Sequence, residues 1–255
     1  MEHVPAAPRA LPPMRGRALV VGASSGIGAE LVRALVAEGY RVAALARRGE
    51  ELAQLRAELG PERVLVRAHD VRDAAAVPAL FEELVRELGG LDQLVYVAGT
   101  MPEVLADEFD TAKDAQMLAV NTLGAIAWCN PAAEHFRAKR AGVIVGIGSI
   151  AGDRGRKGRP VYGASKAALA HYLEALRNRL SEFGVRVCTI KPGFVETPMT
   201  AGLGLKGAIP AAAAARTIVR YARRGSGVRY VPLKWLAVSL VIRAIPSFLF
   251  RRLTI

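Results

Sequence analysis

The chain has 255 residues, 52% of them hydrophobic, and a formal net charge of +12; that length fits one large α/β domain with a sizeable buried core. Its two cysteines, Cys129 and Cys188, lie in apolar runs, which excludes a disulfide scaffold and points to buried thiols in a reducing, cytoplasmic setting. With 6% aromatic residues, no zinc-ligand spacing and no recognisable nucleic-acid module, the charge makes no case for nucleic acid or for a metal.

Residues 1–14, MEHVPAAPRALPPM, are proline-rich and lack the apolar core of a secretory leader. They read as a disordered arm, with Met14 as an alternative start. From there, short β-branched runs alternate with longer helical ones. RALVVGA (17–23) leads into GIGAELVRALVAEG, RVAALA (41–46) into EELAQLRAELG, and RVLVRAHD (63–70) into AAVPALFEELVREL. QLVYVAG (93–99) precedes a helical segment running to about residue 139, and GVIVGIGS (142–149) precedes YGASKAALAHYLEALRNRLSEFG. RVCTIKPG (186–193) precedes AAAAARTIVRYARRG, and GVRYVP (227–232) is the last strand. Repeated βαβ units predict one doubly wound α/β domain over residues 15–232, a seven-stranded parallel sheet with helices on both faces. Residues 233–255 make a basic, apolar tail.

The first strand ends in VGASSGIG, which puts Gly22, Gly26 and Gly28 at a strand-to-helix turn, with Ser24, Ser25 and Ile27 among them. Glycines at such a turn let backbone approach a pyrophosphate, and the helix N-terminus adds N–H donors, so the turn predicts a dinucleotide. The second strand ends in ALARR. An acid there would hold a ribose 2′-hydroxyl; Arg47 and Arg48 instead offer guanidinium groups to a 2′-phosphate, which favours NADP(H) over NAD(H). Asp70 and Val71 follow the third strand, where the carboxylate either accepts from an adenine amine or caps the next helix.

Tyr162 and Lys166 stand at i and i+4 and face the same way on a helix. A protonated Lys beside a phenol stabilises the phenolate, so this pairing predicts a tyrosine whose pKa is lowered enough to move protons near neutral pH. Ser149, at the end of the fifth strand, is placed to hydrogen-bond a substrate carbonyl.

Over residues 16–232 the chain resembles the short-chain dehydrogenases/reductases, through GASSGIG, HDV, VAG, VNTLG, Ser149 with YGASK, and KPGFVETP. The resemblance implies a Rossmann domain with strand order 3-2-1-4-5-6-7, in a homodimer or homotetramer formed through the helices carrying Asn121 and Tyr162. It implies a proton relay of Asn121, Ser149, Tyr162 and Lys166, with Asn121 interrupting its helix and Lys166 also holding the nicotinamide ribose. Ala98 and Gly99 would let the cofactor approach, and Pro192 and Gly193 would shape the nicotinamide pocket. Val195 would serve the carboxamide through its backbone, and Thr197 would bind the carboxamide or the pyrophosphate. One departure is Tyr96-Val97, where the family has two asparagines; a change in stability or on the adenine side is expected from it, with catalysis kept.

The loop after Ser149, IAGDRGRKGRPV, carries Arg154, Arg156, Lys157 and Arg159. They either meet an anionic group on the substrate or simply solvate a turn. MTAGLGLKGAIP (199–210) is short and glycine-rich, as a mobile lid is. After Glu196 there is no acid at all, while ten cations follow, which makes either a solvated surface or a face for an anionic partner. The apolar run 235–242, between Lys234 and Arg243, is too short for a span of roughly 20 residues. The tail either covers the substrate cleft or a neighbouring subunit, or lies on an anionic membrane surface as a peripheral segment. GSIAGDRGR, IKPGFVETPMTAGL and IPSFLFRRLTI are also similar to the reductase group acting on decaprenylphosphoryl 2-keto-pentose, which implies an anionic, lipid-linked keto-sugar. The expected activity is hydride transfer between NADP and a carbonyl or secondary alcohol, with Tyr162 as general acid/base. The alternatives are a soluble ketone, steroid or 3-ketoacyl reductase, and a non-catalytic NADP-sensing protein.

Overall fold

A computed structural model describes residues 13–105 and 107–253; all but the last two residues of the expected N-terminal arm lie outside the described residues. In chain order the strands are β1 (Gly16–Val21), β2 (Tyr40–Ala46), β3 (Val64–Ala68), β4 (Gln93–Tyr96), β5 (Gly142–Ile147), β6 (Val185–Pro192), β7 (Val195–Glu196), β8 (Ile209–Pro210) and β9 (Gly227–Val231). The helices are α1 (Gly26–Ala37), α2 (Gly49–Leu59), α3 (Val77–Leu88), α4 (Thr111–Leu118), α5 (Gly124–Lys139), α6 (Pro160–Leu180), α7 (Ala211–Arg224), α8 (Lys234–Ala244) and α9 (Ser247–Phe250).

One sheet runs β3-β2-β1-β4-β5-β6-β9 with every neighbouring pair parallel. A parallel sheet is covered on both sides, so both alternate sets of side chains are apolar. In β1, Ala18 and Val20 join the core under α1 and α7, with Leu31, Leu35 and Ile218. Leu19 and Val21 join the opposite core under α3, α5 and α6, with Phe81, Trp128 and Leu173. Cys129 and Cys188 are both buried and free. The strand order reverses at β1, whose neighbours are β2 and β4, so successive crossovers leave on opposite faces and a crevice opens past the strand C-termini.

Two features differ from the sequence reading, while the expected interruption at Asn121 is present. The described residues after β4 stay irregular up to Asp110, whose carboxylate caps α4 by accepting from Ala112 and Lys113 N–H. The helix that follows is broken by a π-helical turn, Ala119–Leu123, before continuing as α5. The glycine-rich segment between Thr197 and Ala208 is closed at its base by an unforeseen two-stranded ladder, β7 on β8. Two short helices, α8 and α9, make up the tail, and among the described residues no helix is long and apolar enough to cross a membrane.

Candidate active site

A cavity of about 370 Å³ lies in this crevice. Gly22, Ser24, Ser25, Gly26, Ile27, Gly28, Arg47, Arg48, Val71, Ala98, Gly99, Tyr162, Lys166, Pro192, Gly193, Val195 and Thr197 all line it. Gly22 has φ 102°, and a Cβ on Gly28 would overlap the Gly22 carbonyl oxygen, so the turn needs glycine at both positions. Ser25 is the N-cap of α1 yet makes no side-chain cap bond, so the first N–H groups of the helix keep their donor capacity for a ligand. Arg48 donates to Ser24 Oγ (2.8 Å) and Ser25 Oγ (2.6 Å) and pairs with Glu51 at 3.4 Å. Arg47 is exposed at the rim and has no hydrogen bond or ion pair among the described residues. The donor set fits a dinucleotide pyrophosphate, and the Arg47 charge also helps to hold the Asp70 carboxyl down.

Asp70 stands apart from the other predicted residues. It does not line the cavity, and it does not cap α3, whose N-cap is Ala76. Arg72, two residues on, takes both carboxylate oxygens with its guanidinium and one with its backbone N–H. That guanidinium holds the Asp70 carboxyl down at about 2. The neighbours His69 and Val71 reach the cavity instead.

The proposed relay residues converge from three elements. Ser149 ends the turn after β5, Tyr162 and Lys166 lie on one face of α6, and Asn121 occupies the π-helical turn. Asn121 is fully buried. Its carboxamide accepts from Thr100 N–H at 2.7 Å and donates to Thr100 O (3.0 Å) and Ser165 Oγ (3.1 Å). Lys166 Nζ donates to Ile147 O at 3.0 Å and lies 5.9 Å from the Tyr162 ring centroid. A Cβ on Gly99 would meet Lys166 Nζ at 3.3 Å and Asn121 Oδ1 at 3.4 Å, so the ammonium and the amide oxygen close on one point. Burial pushes Lys166 down to about 8.

The expected lowering of the Tyr162 pKa is not what the structure has. Burial dominates and raises the phenol, while the Ser149 hydroxyl and the Arg159 charge pull it back. The Lys166 ammonium is directed to the Ile147 carbonyl.

A second cavity of about 180 Å³ meets the first at Ser149, Tyr162, Gly193, Met199 and Thr200. Its other walls include Met101, Phe194, Leu203 and Leu205, together with Arg156 and Arg159. Arg159 adopts φ 55°, an uncommon conformation for a non-glycine residue, and its guanidinium lies against Met101 Sδ at 3.6 Å. The Nε of Arg156 is buried without a hydrogen-bond partner among the described residues. Arg154 points elsewhere. It donates to the carbonyls of Ile242 (2.6 Å), Arg243 and Ile245 at the end of α8, and its guanidinium stacks 4.0 Å from the Phe250 ring centroid. Lys157 is exposed.

The tail is fastened to both loops that wall this second cavity. Trp235 packs edge-on against Phe194 (centroids 4.8 Å apart), and a Cβ on Gly193 would overlap its indole. The Asp153 carboxylate, in the loop after Ser149, pairs with Lys191 of β6. It also accepts from Ser239 of α8 (2.6 Å) and Tyr230 of β9 (3.1 Å).

The family model described as short chain dehydrogenase matches residues 17–206. The chain is a short-chain dehydrogenase/reductase. Carbonyl reductase family member 4 of Xenopus tropicalis is 34% identical over 72% of this chain and 77% of its own length. The 3-oxoacyl-[acyl-carrier-protein] reductase of Bos taurus gives the same three figures. A solved structure of a variant actinorhodin polyketide ketoreductase with NADPH superposes with a TM-score of 0.76 at 26% identity, covering 85% of this chain and 95% of that one. The chain is thus an oxidoreductase of this family with its seven-stranded Rossmann-type fold.

Several cavity residues of this dehydrogenase/reductase escaped the sequence reading, among them His69, Val120, Ile147 and Met199. His69 is the informative one, since its Nε2 is buried without a partner among the described residues and its ring stands edge-on to Trp128. The motif HDV was read through Asp70 and Val71, without its histidine. Strand alternation, applied past the end of β3, would have set His69 and Val71 on one side and Asp70 on the other.

Proposed function

We propose that this protein is an NADP-dependent oxidoreductase that interconverts a ketone and a secondary alcohol. The observation that carries this reading is the junction of the two cavities at Ser149 and Tyr162, with Lys166 behind them. NADPH, when bound, supplies the hydride. The glycine turn and the N-terminus of α1 hold its pyrophosphate, Arg47 and Arg48 its 2′-phosphate, and Lys166 its ribose. Pro192, Gly193, Val195 and Thr197 position the nicotinamide. The Ser149 hydroxyl then holds the substrate carbonyl oxygen, and the Tyr162 phenol gives that oxygen a proton as negative charge develops on it. Lys166 and Asn121 return the proton. The buried Lys166 ammonium is held close to its deprotonation point, which suits a group that passes a proton on.

Arg156 and Arg159 in the second cavity support a substrate with an anionic group, and Met101, Phe194, Leu203 and Leu205 support an apolar portion beside it. An anionic, lipid-linked keto-sugar answers to both. The NADPH complex of the 26%-identical ketoreductase and the bovine 3-oxoacyl-carrier reductase favour a carrier-bound 3-ketoacyl group as the second reading. Self-association is expected through α4 to α6, where Leu118 and Leu123 stand exposed.

The test is titration of NADPH and NADH against wild type and Arg47→Ala, with turnover of a β-keto ester followed for wild type and Tyr162→Phe. Wild type should bind NADPH about 10- to 100-fold more tightly, the worth of one charge-assisted contact, and Arg47→Ala should abolish most of the difference. Tyr162→Phe should keep NADPH binding and lose turnover. Equal affinity for the two cofactors would refute the assignment of Arg47. Unchanged turnover in Tyr162→Phe would refute the proton donor.

A further inference from the structure

A helix on the surface of a water-soluble domain normally turns its apolar stripe inward. Helix α8 is built the other way round. Its inward positions, Trp235, Ser239 and Ile242, follow the i, i+4, i+7 spacing of one face, and the only fully buried residue among them is the polar Ser239. That hydroxyl donates to Asp153, and the C-terminal carbonyls of the helix are taken by Arg154. The opposite face, Ala237, Leu240, Val241 and Ala244, repeats at i, i+3, i+4, i+7 and is exposed along its whole length. Val241 is 64% exposed, and Phe248 of the following helix 59%.

Cations border this apolar face. Lys234 and Arg243 stand at the two ends of α8, and Arg251 and Arg252 follow α9; all four are exposed. None of them forms an ion pair among the described residues. There is no acid after Glu196 to neutralise them. A second copy of this chain is a poor occupant, because a two-fold contact would set these cations against their own copies. An anionic bilayer matches both features, with acyl chains for the leucine and phenylalanine side chains and headgroup charge for the rim.

We propose that the outer face of α8 and α9 docks on the surface of an anionic lipid bilayer. The helices lie in the interface, since α8 has 11 residues and a span needs roughly 20. The latch through Asp153 and Arg154 holds them rigidly, so docking orients the whole domain. Lys234 borders the glycine-rich segment at Gly207, and Leu203 of the same segment is exposed. The docked face therefore brings the mouth of the second cavity to the lipid surface. This docking stands whether or not the reductase assignment holds.

The experiment is flotation of the full chain with vesicles of phosphatidylcholine alone and of phosphatidylcholine mixed with phosphatidylglycerol. Binding is expected to the mixed vesicles only and to weaken with salt. Leu240→Glu with Val241→Glu should weaken it more than tenfold, and Arg251→Glu with Arg252→Glu by roughly 30-fold, with melting temperatures near wild type. The arginine pair guards against misfolding of the leucine–valine pair, because both arginines are exposed. No binding to mixed vesicles overturns the proposal, as does equal binding to both vesicle types. So does a dimer that the Leu240→Glu, Val241→Glu variant dissociates without any vesicle binding, which would assign the face to a second copy.

Discussion

Replacing Asp153 by Asn tests the latch between the tail and the loop after Ser149. The carboxylate is 2% exposed and Lys191 opposite it 12%, so the pair is screened by protein rather than water. Two hydroxyls, Ser239 and Tyr230, also donate to it. Asn keeps the volume and can still accept from one or both hydroxyls, but it leaves the Lys191 ammonium buried and unpaired. Removing one partner of a buried ion pair costs about 3–5 kcal/mol. At roughly 2–4 °C per kcal/mol for a domain of this size, the melting temperature should fall by about 6–20 °C. Urea denaturation of Asp153→Asn, Lys191→Met and the double variant completes the cycle. The double variant no longer buries an unpaired charge, so its loss should be smaller than the sum of the singles by about 1–3 kcal/mol. A single variant within about 1 kcal/mol of wild type, or singles that add fully, would show that the carboxylate is not a buried ionic anchor.

Two shorter predictions concern the site itself. Tyr96 is fully buried and donates its hydroxyl to Val120 O at 2.6 Å in the π-helical turn, so Tyr96→Phe should cost about 1–3 kcal/mol and lower turnover through Asn121; unchanged melting and unchanged kcat would contradict this. Lys166 is held at about 8, below its ordinary 10.5, so kcat/KM for ketone reduction should fall as pH rises through about 8, and a profile flat to roughly pH 9.5 would refute a role for the ammonium. The same shift favours the neutral amine in the folded state, so this group adds stability as pH rises from about 8 to 10.5.

What could be read in the sequence was whatever depends on consecutive residues or on a single helical period. The glycine turn is such a feature, because Gly22, Gly26 and Gly28 act within one loop. So is the Tyr162–Lys166 face, although its electrostatics were misjudged: spacing gives a shared face and says nothing of where an ammonium turns. Asp70 was misread because its partner, Arg72, competes from two residues away. The four cations after Ser149 looked equivalent in sequence. The fold separates them, since Arg154 finds carbonyls some 88 to 91 residues further on while Arg156 and Arg159 face the second cavity. Tyr96 was recognisable as a departure from the family pattern, but its acceptor on Val120 depends on a π-helical turn that no apolar period announces.

The tail shapes the walls of the second cavity. Residues 150–159 and 193–205 supply most of its walls, and each has one side on the tail, through Asp153 and Arg154 in the first and Phe194 in the second. Apolar packing alone would hold such loops but would tolerate sliding, because dispersion contacts have little directional preference. A buried carboxylate with three donors from β6, β9 and α8 has few satisfactory geometries, and every displacement leaves a charge or a hydroxyl unpaired. The same polar anchoring leaves the apolar side chains of α8 facing outward. The position of the loops that wall the second cavity and the exposure of a lipid-compatible face are then two results of one arrangement, and a substitution that frees Ser239 from Asp153 should disturb both together.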